Sequence, residues 1–123
     1  MQVFEKKYNM KYQVYLTENA EADLNTIANY LVYKLLAGEN ALKQIERIEH
    51  AIISLEVMPE RYQVYDKKPW KEKNLREMVV DNYLVFYVVD NNEKIVTVIR
   101  IMYGKRDIEK QLSQIKEIKN KTK

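Results

Sequence analysis

The residues of this chain with chemistry to offer are cationic and phenolic: Lys73, Arg76, Arg100, Lys105 and Arg106, with Tyr62, Tyr65, Trp70, Tyr83, Tyr87 and Tyr103. A guanidinium holds a phosphate through two parallel hydrogen bonds, and aromatic rings stack on unpaired bases, so this mixture suits single-stranded nucleic acid. It equally suits a protein interface, where Tyr, Trp and Arg are the usual anchors. For Tyr83, Tyr87, Tyr103 and Trp70 the competing reading is packing in a core or sheet with the polar atom at the rim. Arg100 is the odd one. In VTVIRIMYGKR, extended backbone puts Val96, Val98 and Met102 on its face and Thr97, Ile99, Ile101 and Tyr103 on the other, apolar on both sides. A charge there is tolerable only when paired, by an acidic side chain of a helix, by a phosphate or by a partner's carboxylate.

Other chemistries are thinly supplied. The one histidine, His50, falls on the polar face of a helical segment with Glu46, Arg47 and Ser54, and no triad accompanies it. No closely spaced set of His and carboxylate suggests a metal site. Without cysteine there is no disulfide, thiolate nucleophile or thiolate metal ligand. Gly38 and Gly104, the only glycines, cannot build a loop that cradles phosphates. No cofactor and no metal are expected.

A length of 123 residues accommodates one domain with a real core. With 46% hydrophobic and 32% charged residues the chain reads as globular, and no run approaches the ~20 apolar residues of a membrane span. The N-terminal MQVFEKKYNM lacks the apolar core of a signal peptide, which points to the cytoplasm and to no membrane partner. Charge is unevenly spread. Residues 17–60 hold three basic and eight acidic side chains, net −5; 61–76 hold six and two, net +4; 105–123 hold seven and three, net +4. The basic excess belongs to two segments that form one surface if the fold joins them; the plainer reading is a solvated face and a lysine-rich tail.

The elements that must position these side chains are legible from periodicity. YQVYLT (12–17) alternates as a first strand. Thr17 caps a helix with Ala20, Leu24, Ile27, Leu31 and Leu35 on one face, and Gly38 stops it. Asn40 caps a second helix striped by Ala41, Ile45, Ile48, Ile52 and Leu55, ended by Pro59. Two helices joined so closely lie antiparallel. Strands at 75–80, 83–89 and 95–103 follow a loop and form an antiparallel meander through the turns Asp81-Asn82 and Asp90-Asn91-Asn92. Asp107 caps a last helix with Ile108, Leu112 and Ile115 on one face. The expected class is α+β, order β-αα-βββ-α, with an antiparallel sheet packed on the helical hairpin. Residues 1–10 read as an extension, 11–118 as the domain, and 119–123 as a frayed basic tail.

Taken in order, YQVYLTENAEADLNTIANYL, ALKQIERIEHAIISLEVMPER, LREMVVDNYLVFYVVD and VTVIRIMYGKRDIEKQL resemble the RelE/ParE superfamily of bacterial type II toxins over residues 11–112. The resemblance implies a curved sheet on a helical hairpin, and a growth-inhibiting toxin, of the kind tied to plasmid stabilization, held inactive by a cognate antitoxin. Leu75 and Arg76 match the family's Leu-Arg pair, Tyr83 the third-strand Tyr, and Arg100, Gly104 and Arg106 the arginine and Gly-x-Arg that end the last strand. The RNA-cleaving branch adds lysines before the Leu-Arg pair, an arginine after the third-strand Tyr, and a Tyr or His near the C-terminus. Here Glu72 and Asn74 flank a lone Lys73, and Leu84 and Leu112 hold the other places.

Cleavage through a 2′-hydroxyl needs a base, charge for the transition state and an acid for the leaving oxygen. With proton transfer left to Tyr103 or Lys73, the resemblance leans to the ParE-like branch, whose members poison DNA gyrase by binding. Its alternatives are a ribosome-dependent messenger-RNA endoribonuclease using Arg76, Arg106 and Tyr103, and an inactive remnant that binds antitoxin. Target or antitoxin binding is expected at Lys73, Arg76, Tyr83, Arg100, Lys105 and Arg106. The partners so implied are the antitoxin and either gyrase or the ribosome with messenger RNA.

Overall fold

The computed structural model describes residues 11–34, 38–104 and 108–114. Its elements are β1 (Gln13–Leu16), α1 (Glu18–Asn29) running into a π turn (Tyr30–Lys34), α2 (Gly38–Ile53), two 3₁₀ turns (Ser54–Glu56 and Pro59–Arg61), β2 (Arg76–Val80), β3 (Tyr83–Asp90), β4 (Ile95–Tyr103) and α3 (Ile108–Leu112). The α+β class and the order β-αα-βββ-α are those expected. Leu35, Lys105, Arg106, Asp107 and Ile115, the extension at 1–10 and the tail at 119–123 lie outside the described residues.

Strand order in the sheet is β1-β4-β3-β2. The meander β2-β3-β4 is antiparallel, and β1 adds to β4 in parallel, with Gln13 opposite Ile95 and Leu16 opposite Val98. That parallel seat requires a crossover, which the two helices supply. Thr17 makes the turn from β1 into α1: its Oγ1 accepts the N–H of Ala20 at 3.1 Å and donates to the carbonyl of Ile99 at 2.9 Å. Where the helices meet, the structure departs from the expected stop and cap. The first helix passes into the π turn, and α2 already begins at Gly38, so Asn40 lies within its first turn. At its far end α2 gives way to a 3₁₀ turn at Ser54, before Pro59. Arg61 closes that end, donating from Nη1 to the carbonyl of Val57 at 2.6 Å and from Nη2 to Ser54 Oγ at 2.8 Å.

The helical hairpin buries one face of the sheet. Ala20, Ile48, Ile52 and Leu55 pack on Met78, Val80, Tyr83, Val85, Tyr87, Val96, Val98 and Ile101. Each fully buried aliphatic side chain of this kind contributes about 1.5–3 kcal/mol. The other face is covered by the loop after the second 3₁₀ turn and by α3: Trp70, Leu75 and Leu112 pack on Phe86, Ile99 and Met102, with the Tyr65 ring edge-on to Phe86 at 5.4 Å.

One register shift changes how β4 is read. Phe86 stands opposite Arg100 and Tyr87 opposite Val98, so Ile99 is an extra residue, a β-bulge. Strict alternation through residues 96–103 therefore fails. Val96, Val98 and Ile101 share the helix-covered face, while Ile99 and Met102 face the second core.

Candidate functional site

Arg100 sits at this bulge, just beyond the point where β1 ends. Asp23 of α1 meets it there: Nε donates to Oδ2 at 2.7 Å and Nη2 to Oδ1 at 2.9 Å, and the N–H of Ile101 donates to the same Oδ2 at 2.9 Å. Both side chains are 15% exposed. Of the three pairings open to Arg100 in the sequence, the structure shows the one within the chain. Asp23 was not among the candidates, because an Asp in the first turns of a helix ordinarily serves the helix dipole and gives no sign of a strand partner far along the chain.

Arg76 opens the edge strand β2, with β3 between it and β4. Its Nη1 donates to the carbonyls of Tyr62 at 2.6 Å and Glu60 at 3.2 Å, and Nη2 lies 3.6 Å from the Glu60 carboxylate. The neighbouring Tyr87 is fully buried and donates its hydroxyl to the Pro59 carbonyl at 2.6 Å. Burial pushes the Tyr87 phenol up to about 12 against the opposing pull of Arg76 and Arg61. Arg76 and Tyr103 are not brought together. Their cross-strand positions on β3 are Tyr87 and Tyr83, four residues apart, or roughly 13 Å along the strand.

Tyr83 is buried and meets the Tyr103 ring edge-on, with centroids 5.7 Å apart, while Tyr103 is 38% exposed. Burial, then the nearby phenols of Tyr103 and Tyr30, raise the Tyr83 phenol above its ordinary range. Gly104 follows Tyr103 and donates its N–H to the Asn82 carbonyl at 2.8 Å; a Cβ there would lie 3.3 Å from that oxygen. The glycine thus eases the close approach to the hairpin tip. The tip is pinned to α2 by Asp81, whose Oδ2 accepts from Gln44 Nε2 and Arg47 Nε at 2.8 Å each. Those two hydrogen bonds, Arg47 first, hold the Asp81 carboxyl below the usual range.

Lys73 lies half-buried in the tight turn before β2, where its N–H donates to the Trp70 carbonyl. Trp70 is buried, so the packing reading holds for it as for Tyr83 and Tyr87. The two basic segments do adjoin: Lys67 reaches Glu109 of α3 at 3.5 Å, and Trp70 and Leu75 share a core with Leu112. Lys105 and Arg106 lie outside the described residues. Among those described, no group of three or more His, Asp or Glu side chains is placed to hold a metal ion, and no helix is long and apolar enough to cross a membrane.

A cleft of about 520 Å³ opens between α1, its π turn and the end of the β3-β4 hairpin, walled by Ile27, Tyr30, Leu31, Asn82, Tyr83 and Tyr103. A smaller one of about 260 Å³ continues it toward Arg100 and Gln111. Neither was anticipated from the sequence. The signal available was Tyr30-Leu31-Val32-Tyr33, which is apolar all round a helix and so cannot bury every side.

Residues 14–108 match the family model described as the ParE toxin of the type II toxin-antitoxin system parDE. In three dimensions the chain is similar to a chromosomal ParDE toxin-antitoxin system from P. aeruginosa, with TM-score 0.62, 21% identity, and coverage of 76% of this chain and 97% of that one. It is also similar to the archaeal RelE-RelB complex from Pyrococcus horikoshii OT3, with TM-score 0.54, 14% identity and coverage of 78% and 98%. The toxin-antitoxin complex RelBE2 from Mycobacterium tuberculosis gives TM-score 0.53, 17% identity and coverage of 76% and 91%. No curated protein matches the chain in sequence.

Proposed function

Because this chain belongs to the ParE toxin family of type II toxin-antitoxin systems, we propose that it arrests growth by binding DNA gyrase, and that a cognate antitoxin neutralises it. The observation that carries this reading is the ParE family match over residues 14–108.

The side chains lend it support. RNA cleavage needs an acid and a base beside a cluster of positive charge. Among the described residues, the Arg76 guanidinium is held by the loop carbonyls of Glu60 and Tyr62, and that of Arg100 by Asp23. Tyr103 stands rows away from Arg76, and the raised Tyr83 phenol is a poor proton carrier at neutral pH. In this reading Arg76, Arg100 and the buried Tyr83 shape the domain, and the docking face is built from the end of β4, the segment carrying Lys105 and Arg106, and α3, with Lys73 contributing from the adjoining loop.

A ribonuclease using Arg76, Arg106 and Tyr103 is favoured by one observation: Tyr103 is a partly exposed phenol only two and three residues before Lys105 and Arg106. The purified chain, added to gyrase and relaxed plasmid, is expected to stop supercoiling or to accumulate cleaved DNA. Primer extension on messages taken minutes after induction is expected to show no new ends. In-frame cuts that vanish in Arg106→Ala would instead establish the nuclease, and normal growth with unaffected gyrase would leave a remnant that only binds antitoxin.

A further inference from the structure

The cleft beside the π turn has a chemical character unlike the rest of the surface. None of its described lining residues carries a charge, in a chain where 32% of residues do. Gln44 at its rim is already engaged: its Nε2 donates to Asp81 and its Oε1 accepts from Arg47 Nη2. The rest of the lining is aliphatic at Ile27 and Leu31, phenolic at Tyr30, Tyr83 and Tyr103, and polar but uncharged at Thr26 and Asn82. Two of its lining tyrosines are themselves open to solvent, Tyr30 at 53% and Tyr103 at 38%. The α1 backbone widens into its π turn at this wall, a departure from regular helix that frequently accompanies function.

We propose that this cleft seats one aromatic side chain, carried on an uncharged segment of a partner protein. Ligand pockets commonly measure about 300–1,000 Å³, so 520 Å³ is ample for a single indole or phenol ring. Such rings stack edge-on or offset against tyrosines and bring large apolar area with few rotamers to freeze. A charged side chain would lose its hydration there and meet no counter-charge among the cleft's described walls, while Asp23 and Arg100, which line the adjoining cleft, already pair with each other. Nucleic acid is disfavoured for the same reason, since its affinity rests on cations that contact phosphate. The surrounding exposed tyrosines fit the core of an interface, where Tyr and Trp are enriched and charge is depleted. The inference goes beyond the choice of target, because the cleft is defined by its own walls.

The test is an amide NMR titration of the ¹⁵N-labelled chain with N-acetyl-L-tryptophanamide, with N-acetyl-L-lysinamide as the charged comparison. Saturable shifts are expected at Thr26, Ile27, Tyr30, Asn82 and Tyr83, with a low-millimolar midpoint for the tryptophan probe and binding about tenfold or more weaker for lysine. Thr26→Trp fills the cleft from an exposed helical position and should abolish the shifts, whereas Leu42→Ala, exposed on α2, should leave them unchanged. Should Thr26→Trp fail to fold, Tyr30→Ala replaces it, with a severalfold weaker midpoint expected. Shifts that are absent, scattered, equal for both probes or unaffected by these variants overturn the proposal. So do concentration-dependent shifts of the same residues without any probe, which would make a second copy of the chain the occupant.

Discussion

Asp23 clamps Arg100 where the sheet loses a strand: its Oδ2 accepts both Nε of Arg100 at 2.7 Å and the N–H of Ile101 at 2.9 Å. One carboxylate thus answers a guanidinium and an edge donor that β1, ending at Leu16, does not reach. Asp23→Ala removes both partners at once and is expected to cost roughly 3 kcal/mol. Replacing both members, Asp23→Leu with Arg100→Leu, should cost less than either single change, because an apolar pair leaves no charge to desolvate. Urea denaturation of the four proteins checks this, and additive losses would refute the coupling.

Asp81 ties the β2-β3 turn to α2 through Arg47 and Gln44, and its carboxyl is held below the ordinary range. A carboxyl lowered in the folded state contributes stability that is complete above its unfolded value of about 3.9 and disappears as pH falls through the folded value. Asp81→Asn keeps a residue that tolerates the local φ of 55° but removes the charge. Its thermal midpoint should therefore fall less steeply with acid than the parent's. Parallel curves between pH 5 and 2 would mean that the clamp is not electrostatic.

At the alkaline end the sign reverses. Tyr87 is pushed up to about 12, so its neutral phenol favours the fold fully below the unfolded value of about 10, and this contribution is lost as pH rises toward 12. Tyr87→Phe should remove the highest step from the tyrosinate absorbance titration. At neutral pH it should cost about 1–2 kcal/mol by leaving the buried Pro59 carbonyl without its 2.6 Å donor.

Leu112 is fully buried although α3 is only five residues long. Leu112→Ala should therefore cost about 2–4 kcal/mol, read as a drop in denaturation midpoint with unchanged slope. A loss within a few tenths would show that the second core does not depend on α3.

Gly104 offers a gentler case. Its missing Cβ leaves room for the Asn82 carbonyl, so Gly104→Ala should cost about 1 kcal/mol and Gly104→Val more, with Leu84 also close by at 3.8 Å. Equal stability of all three proteins would make the close approach incidental.

The legible part of this fold is the part with a local code. The strand at Ile95–Tyr103, the Asp81-Asn82 and Asp90-Asn91-Asn92 turns, and the Thr17 cap each depend on a few neighbouring residues, and each is found in place, although the strand's alternation breaks at Ile99. The start of α2 is not legible in this way, because Gly38 and Asn40 are a stop and a cap only when the chain breaks there, and neither residue type compels a break. The candidate site was legible in composition alone: Arg76 and Arg100 stood out as cations, but nothing near them in sequence marks Glu60, Tyr62 or Asp23 as their partners.

Residue order therefore determined the elements, their sequence along the chain and the antiparallel meander, since hydrogen bonding and side-chain period act over neighbouring positions. Tertiary structure alone decided that β1 lies parallel beside β4, that Ile99 bulges and turns the end of β4 over, and that Asp23 finds Arg100 across 77 residues. It also decided that three tyrosines from separate elements meet around one uncharged cleft. Such contacts depend on strand register and on where a helix crosses an edge, and both are set by the packing of the whole core.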